Sequence, residues 1–294
     1  MKKAPFIGSG VALITPFNDT TVNYRVLEEL IEYQIANNTD AIIICGTTGE
    51  PATMTESEKK EVIRFTVEKV NKRIPVIAGT GSNCTKTAIE MSKYAQSVGT
   101  DGVLVVTPYY NKTTQVGLME HYKKIANSIN IPLIMYNVPS RTGLNLTVDT
   151  VYQLSKIENI VAVKEASGNF SQIVEIANKC GDNMHIYSGN DDQIVPMLSL
   201  GAVGVISVLA NVAPNQTHQI VKKYLDGKVD ESKKLQLELL PLINALFTEV
   251  NPIPVKEAVN LIGFEAGKVR LPLVGISESN KEVLVSALKH CMII

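Results

Sequence analysis

The chain has no tryptophan, and tyrosine and phenylalanine supply only 5% of its 294 residues, so aromatic bulk does not dominate its core. It has no excess of charge of either sign. Twenty-eight basic residues against twenty-nine acidic ones leave a formal net charge of −1 and no electrostatic footprint for nucleic acid. No basic stretch suggests an acidic membrane surface. The four cysteines, Cys45, Cys84, Cys180 and Cys291, lie far apart with no C-x-x-C pair. The four histidines, His121, His185, His218 and His290, show neither H-E-x-x-H nor zinc-ligand spacing. A disulfide framework and a protein-built zinc site are therefore not expected, and reduced thiols in a cytoplasm are. No run approaches the roughly eighteen apolar residues of a membrane span. Met1-Lys2-Lys3 opens like a signal-peptide n-region, but Pro5, Gly8, Ser9 and Gly10 break the apolar stretch behind it and no cleavage pattern follows. A soluble cytoplasmic protein is the expectation.

Apolar types make up 45% of the sequence and charged types 19%, enough for one large α/β domain or two modest ones. Short apolar runs rich in β-branched residues recur: Val11–Ile14, Ala41–Cys45, Val76–Ala78, Val103–Val106, Leu133–Tyr136, Ile160–Val163, His185–Ser188 and Val203–Ile206. Most are nearly continuous instead of alternating, as in parallel strands buried on both faces. Helical patterns lie between them. In one, Thr55 and Glu58 form a capping box ahead of the stripe Ile63, Val67, Val70, and its charged residues read as a solvated face. An internal echo, Thr39-Asp40 before one strand and Thr100-Asp101 before another, supports a repeated βα unit.

Eight strands alternating with helices, with no Gly/Ser-rich or Pro-rich linker, predict an α/β fold of the (β/α)₈ barrel type, with an open doubly wound sheet as the competing architecture. Beyond Gly227 strand signals vanish, and Val229–Glu249, Ile253–Ile262 and Glu278–His290 read as extra helices. The expected organisation is a catalytic barrel over residues 1–227 and a C-terminal helical extension over 228–294.

In a parallel barrel the site gathers at the C-terminal strand ends. Lys164 closes Ile160-Val161-Ala162-Val163, where desolvation would lower its amine pKa and make it a nucleophile toward a carbonyl. A lysine snorkelling from the strand end, or paired with Glu165, is the competing explanation. Tyr136 closes the preceding run and could relay a proton or simply place its hydroxyl at the rim. Gly46-Thr47-Thr48-Gly49-Glu50 offers two hydroxyls and main-chain N–H groups to a carboxylate, or is an ordinary turn. Arg141, just past Tyr136, suits a bidentate grip on a carboxylate or a surface ion pair. Gly79-Thr80-Gly81-Ser82-Asn83-Cys84 begins like a dinucleotide fingerprint but has Cys at the third glycine, which argues against NAD. Asp191 and Asp192 lack a matching carboxylate cluster for Mg²⁺, and helix N-capping is expected of them. No Lys or Arg occurs from Cys180 through Val221, so an unphosphorylated acid fits better than a phosphorylated substrate.

Five segments in order, Gly46-Thr47-Thr48-Gly49-Glu50, Thr107-Pro108-Tyr109-Tyr110-Asn111, Tyr136-Asn137-Val138-Pro139-Ser140-Arg141-Thr142-Gly143, Val163-Lys164-Glu165-Ala166 and Ser188-Gly189-Asn190-Asp191-Asp192, resemble the 4-hydroxy-tetrahydrodipicolinate synthase family of pyruvate-dependent class I aldolases. The similarity runs over nearly the whole chain. It implies a barrel with a C-terminal helical extension, usually a homotetramer, in which Lys164 forms a Schiff base with pyruvate. The enamine attacks L-aspartate 4-semialdehyde, and the product enters lysine and diaminopimelate biosynthesis. Thr48, Tyr136 and Tyr110 match the family's proton relay, with Tyr110 reaching into a neighbouring subunit. Thr47 and Thr48 match its pyruvate-carboxylate contacts, Arg141 its semialdehyde-carboxylate contact, and Gly189 and Ile206 positions lining the pyruvate pocket. Such chemistry needs no metal and no cofactor, because an iminium already makes the pyruvate methyl acidic.

Members inhibited by lysine tend to carry His or Trp where Glu56 stands and Glu where Thr87 stands, while Asn83 and Tyr109 are retained; weak or absent inhibition is expected. Sister families, the N-acetylneuraminate lyases and 2-keto-3-deoxy-sugar-acid aldolases, share the lysine and tyrosine. Sialic acid lyases tend to have Ser-Thr at Thr47-Thr48 and no arginine at Arg141, so both features favour the synthase. A non-catalytic ligand-binding barrel is the reading from another class, and intact Lys164, Tyr136, Tyr110 and Thr48 argue against it.

Overall fold

Each of the eight apolar runs becomes a strand, and all eight pair in parallel. The computed structural model describes residues 2–294. The strands are β1 (Gly8–Ala12), β2 (Ala41–Ile44), β3 (Val76–Gly79), β4 (Gly102–Val106), β5 (Leu133–Asn137), β6 (Ile160–Glu165), β7 (His185–Ser188) and β8 (Gly204–Ser207). They follow one another around a closed barrel, β8 returning to β1, so the closed architecture and not the open sheet is the outcome. The helices of the β/α units are α1 (Tyr24–Ala36), α2 (Glu56–Val70), α3 (Thr85–Ser97), α4 (Gln115–Ala126), the short α5 (Pro139–Thr142), α6 (Val148–Leu154), α7 (Phe170–Cys180), α8 (Ile194–Ser199) and α9 (Pro214–Leu225). Three more follow: α10 (Val229–Ala245), α11 (Ile253–Leu261) and α12 (Glu278–His290).

The unbroken apolar character of the strands follows from burial on both faces. Ile43, Ile77, Leu104, Ile134, Ala162 and Ile206 fill the barrel, while Ile42, Ile44, Val103, Val105, Met135, Val163 and Val205 pack outward under the helices. The echo of Thr-Asp pairs has a physical role. Asp40 accepts a hydrogen bond from Ser9 N at 2.7 Å, and Asp101 from Val76 N at 2.8 Å, so each ties the start of its strand to the strand before. The capping box of α2 is present in both halves, Glu58 N to Thr55 Oγ1 at 3.2 Å and Thr55 N to Glu58 Oε2 at 2.9 Å.

Two boundaries differ from expectation by three residues or more. β1 begins at Gly8 instead of Val11 because its first residues, Gly-Ser-Gly, carry no apolar signal. They close the barrel: Gly8 pairs with Gly204, where a Cβ would stand 2.0 Å from the Gly8 carbonyl oxygen. The helix expected to run to Glu249 ends at Ala245, after which Phe247 N and Thr248 N bond to Asn244 O and Ala245 O in tighter turns.

The barrel base is sealed by Phe6, stacked on Tyr187 with ring centroids 4.5 Å apart, and Tyr187 donates to the Phe6 carbonyl. Lys2 belongs to this base: its ammonium donates to the carbonyls of Ser155, Ile157 and Ile160, each at 2.6 Å. On the outer layer, His121 of α4 is buried, with Nδ1 2.9 Å from the Thr85 hydroxyl and Nε2 without a partner.

Burial pushes the His121 imidazole down from 6.5 to about 4. Between those values the unfolded chain takes up a proton that the folded protein refuses, so stability is lost as the pH falls through this window, by a contribution on the order of 3 kcal/mol. Thermal melts from pH 7 to pH 4 of the wild type and His121→Phe should show a shallower acid slope in the variant. Parallel slopes would contradict this.

Candidate active site

The ladder sets Tyr136, Lys164 and Tyr187 in one row across β5, β6 and β7, and Asn137, Glu165 and Ser188 in the next. Adjacent rows face opposite sides of a sheet. Tyr136 and Tyr187 lie in the apolar cluster that fills the barrel, so Lys164 points inward with them. Lys164 is 5% exposed, and its Nζ lies over the Tyr136 ring, 4.4 Å from the centroid. Glu165 points the other way. Its carboxylate accepts from Asn137 Nδ2 at 3.0 Å, Ser167 N at 2.7 Å and Gln172 Nε2 at 3.4 Å. The pairing that would have explained Lys164 as a structural residue is therefore not made.

Other groups from the strand ends close around this amine. Gly189 follows β7, and a Cβ there would stand 3.1 Å from Lys164 Cε and 2.6 Å from Ala166 Cβ, so the loop packs this tightly only without a side chain. Ile206 of β8 is fully buried in the same interior cluster. Asp191 is buried close enough to Lys164 to feel its charge, yet burial outweighs that and its hydrogen bonds and pushes its carboxyl above the usual range. The N-cap role expected of it is not the one found. Asp191 Oδ2 accepts from Val208 N at 3.0 Å and Leu209 N at 2.9 Å, fastening the turn after β8, because its side chain reaches across to that strand and not along its own helix.

After β2, Thr47–Gly49 form a 3₁₀ turn in which Thr48 is buried and Thr47 half-buried. The turn is pinned from both sides: Thr15 Oγ1 donates to Gly49 O at 2.7 Å, and Asn251 Nδ2 donates to Thr48 Oγ1 at 3.1 Å. Arg141, on α5, is exposed and donates from Nη2 to the Asn251 carbonyl at 3.0 Å. One tail residue thus contacts both the threonine turn and the arginine. Tyr110 joins none of these contacts. It is 92% exposed, with its backbone in the left-handed region at φ 70°, a conformation that a bulky residue holds at a cost.

Three residues beside this site have no role assigned from the sequence: Asn251, Lys256 and Glu50, the last of these named only as the end of the Gly46–Glu50 motif. Glu50 ends the threonine turn and pairs with Lys256 of α11 at 2.7 Å, both side chains being 2% exposed or less. Burial pulls the Lys256 ammonium down to about 8, against the opposing pull of Glu50. The signal that singled out Lys164, one lysine in an otherwise apolar run, was present in Ile253-Pro254-Val255-Lys256 as well. Asn251 carried no comparable signal, because its importance lies in a long-range contact.

Known proteins share this architecture and its sequence. The family model described as the dihydrodipicolinate synthetase family matches residues 5–291. A 4-hydroxy-tetrahydrodipicolinate synthase of Clostridium novyi is 60% identical over 285 residues, covering 97% of this chain and 96% of that protein. The crystal structure of dihydrodipicolinate synthase from Aquifex aeolicus superposes with a TM-score of 0.96 at 46% identity, covering 98% of this chain and 99% of that one. The enzyme from Cyanidioschyzon merolae, solved with lysine bound, gives 0.97 at 40% identity over 99% and 100%. With a barrel, a buried lysine and a threonine turn carried by a sequence so similar over nearly its whole length, the chain belongs to the dihydrodipicolinate synthetase family.

Proposed function

We propose that this protein is a 4-hydroxy-tetrahydrodipicolinate synthase, joining pyruvate to L-aspartate 4-semialdehyde through a Schiff base on Lys164. The observation that carries the assignment is the Lys164 amine, buried over the Tyr136 ring with its neighbouring glutamate turned away. As the free base, the amine attacks the pyruvate keto carbon, and loss of one water leaves a protonated imine. The positive nitrogen draws electrons from the adjacent methyl, which gives up a proton to form an enamine. The enamine carbon attacks the aldehyde, whose oxygen is protonated. The semialdehyde's own amine then displaces Lys164 from the former keto carbon, closing the ring and freeing the enzyme.

Thr47 and Thr48 hold the pyruvate carboxylate, and Gly189 and Ile206 shape its pocket. Thr48, Tyr136 and Tyr110 move protons between the reacting carbons and solvent. On this reading Tyr110 serves a neighbouring copy of the chain, which gives its exposed, left-handed conformation a use. The working assembly is a homotetramer acting in the cytoplasm. The division falls after residue 227, with the catalytic barrel before it and residues 228–294 forming the extension that buttresses it.

Arg141 holds the semialdehyde carboxylate and separates this activity from the sugar-acid lyases. The protein should turn over pyruvate with L-aspartate 4-semialdehyde and not cleave N-acetylneuraminate or 2-keto-3-deoxy-sugar acids. Loss of a charge-assisted contact in Arg141→Ala should lower kcat/KM for the semialdehyde by about 10- to 100-fold while pyruvate binding changes by less than about two-fold. Efficient sugar-acid cleavage, or an Arg141→Ala variant with wild-type semialdehyde kinetics, would refute the assignment.

Lysine should have little effect on the rate. Glu56 already pairs with Lys60 at 2.5 Å, and Thr87 offers no carboxylate to an ammonium. Initial rates with and without physiological lysine check this, and strong inhibition would overturn it.

A further inference from the structure

The Glu50–Lys256 pair lies outside the chemistry described above, yet it adjoins the turn on which that chemistry depends. Glu50 directly follows Thr47-Thr48-Gly49 and adopts φ 55°, ψ 39°, a left-handed conformation unfavourable to a residue with a Cβ. Its carboxylate is fully engaged by the C-terminal segment. Lys256 Nζ donates to one oxygen at 2.7 Å, and the Arg270 main-chain N–H to the other at 3.0 Å. The Lys256 ammonium also lies 4.0 Å from the centroid of the Phe17 ring, and the Arg270 guanidinium lies 4.0 Å from the same centroid. Arg270 is neutralised in turn by Glu58 of α2 at 2.7 Å.

A buried ion pair contributes little net stability compared with apolar side chains of similar volume, so stability alone is a weak reason for this one. Direction is a better reason. Two fixed bonds to Glu50 define where the threonine turn ends, while Asn251, two residues before α11, grips Thr48 from the same side. We propose that Glu50 and Lys256 are positioning residues, which hold the Thr47–Thr48 turn in the geometry that receives the keto-acid carboxylate. This rests on the reading of those threonines as carboxylate contacts.

The test compares Glu50→Gln, Lys256→Met and the double variant with the wild type. Melting temperature, KM for pyruvate, KM for the semialdehyde, and borohydride trapping at saturating pyruvate are measured for each. Each single variant strands a polar or charged group and should melt lower. The double variant removes both charges, so its melting temperature should recover. Misplacement of the turn should nevertheless leave its pyruvate KM raised about tenfold, with the semialdehyde KM within about two-fold and full adduct formation at saturation. A double variant, or any folded single variant, with wild-type pyruvate KM would overturn the proposal, since a merely structural pair predicts that recovery. Wild-type protein that forms no adduct with pyruvate would overturn the reading of Lys164 as well.

Discussion

An amine held at the mouth of an apolar barrel, beside an aromatic ring and away from its neighbouring glutamate, is the constraint around which this site is built. A lysine in such surroundings loses hydration that only a reaction partner or a well-placed counter-charge can replace. The strand alternation sets the conflict up. Lys164 and Glu165 are adjacent in sequence, yet one enters the barrel and the other joins an amide network with Asn137, Asn145 and Gln172 outside it. That network gives the carboxylate hydrogen-bond donors without a cation, which leaves the amine to the barrel. Gly189 then lets the β7 loop press on the lysine stem, so the Lys164 amine has few orientations open to it.

The second organising element is the C-terminal segment. It makes no strand, but its contacts reach the two loops that would hold the substrates' carboxylates. Asn251 links Thr48 to Arg141, and Lys256 and Arg270 fasten Glu50. α10 is fastened to the outer helices of the barrel by polar contacts: Ser232 donates to Ile220 O of α9 at 2.6 Å, and Gln236 accepts from Val195 N of α8 at 2.8 Å. A barrel supplies the strand ends, while the tail sets the spacing between them.

Much of this is legible in the sequence. Continuous apolar runs identified eight parallel strands because burial on two faces leaves no alternative pattern, and a lysine closing such a run stood out for the same reason. What escaped were features whose cause is non-local. The start of β1 was hidden because its glycines serve a close approach to Gly204 on the far side of the chain. Asp191 reads as a helix cap in the sequence because local spacing cannot report a side chain that crosses to the turn after β8. Asn251 has no local signature at all, and Lys256 sits in a segment that reads only as an extra helix beyond the barrel. Local periodicity records what a residue does for its own element, and it is silent on what that residue does for another.

The central claim is that Lys164 is the covalent centre. Its most direct test is reduction of the protein with borohydride in the presence of pyruvate, followed by peptide mapping by mass spectrometry. A single reduced pyruvate adduct is expected on the peptide containing Lys164, absent without pyruvate. No adduct, or an adduct at another buried lysine such as Lys256, would contradict it.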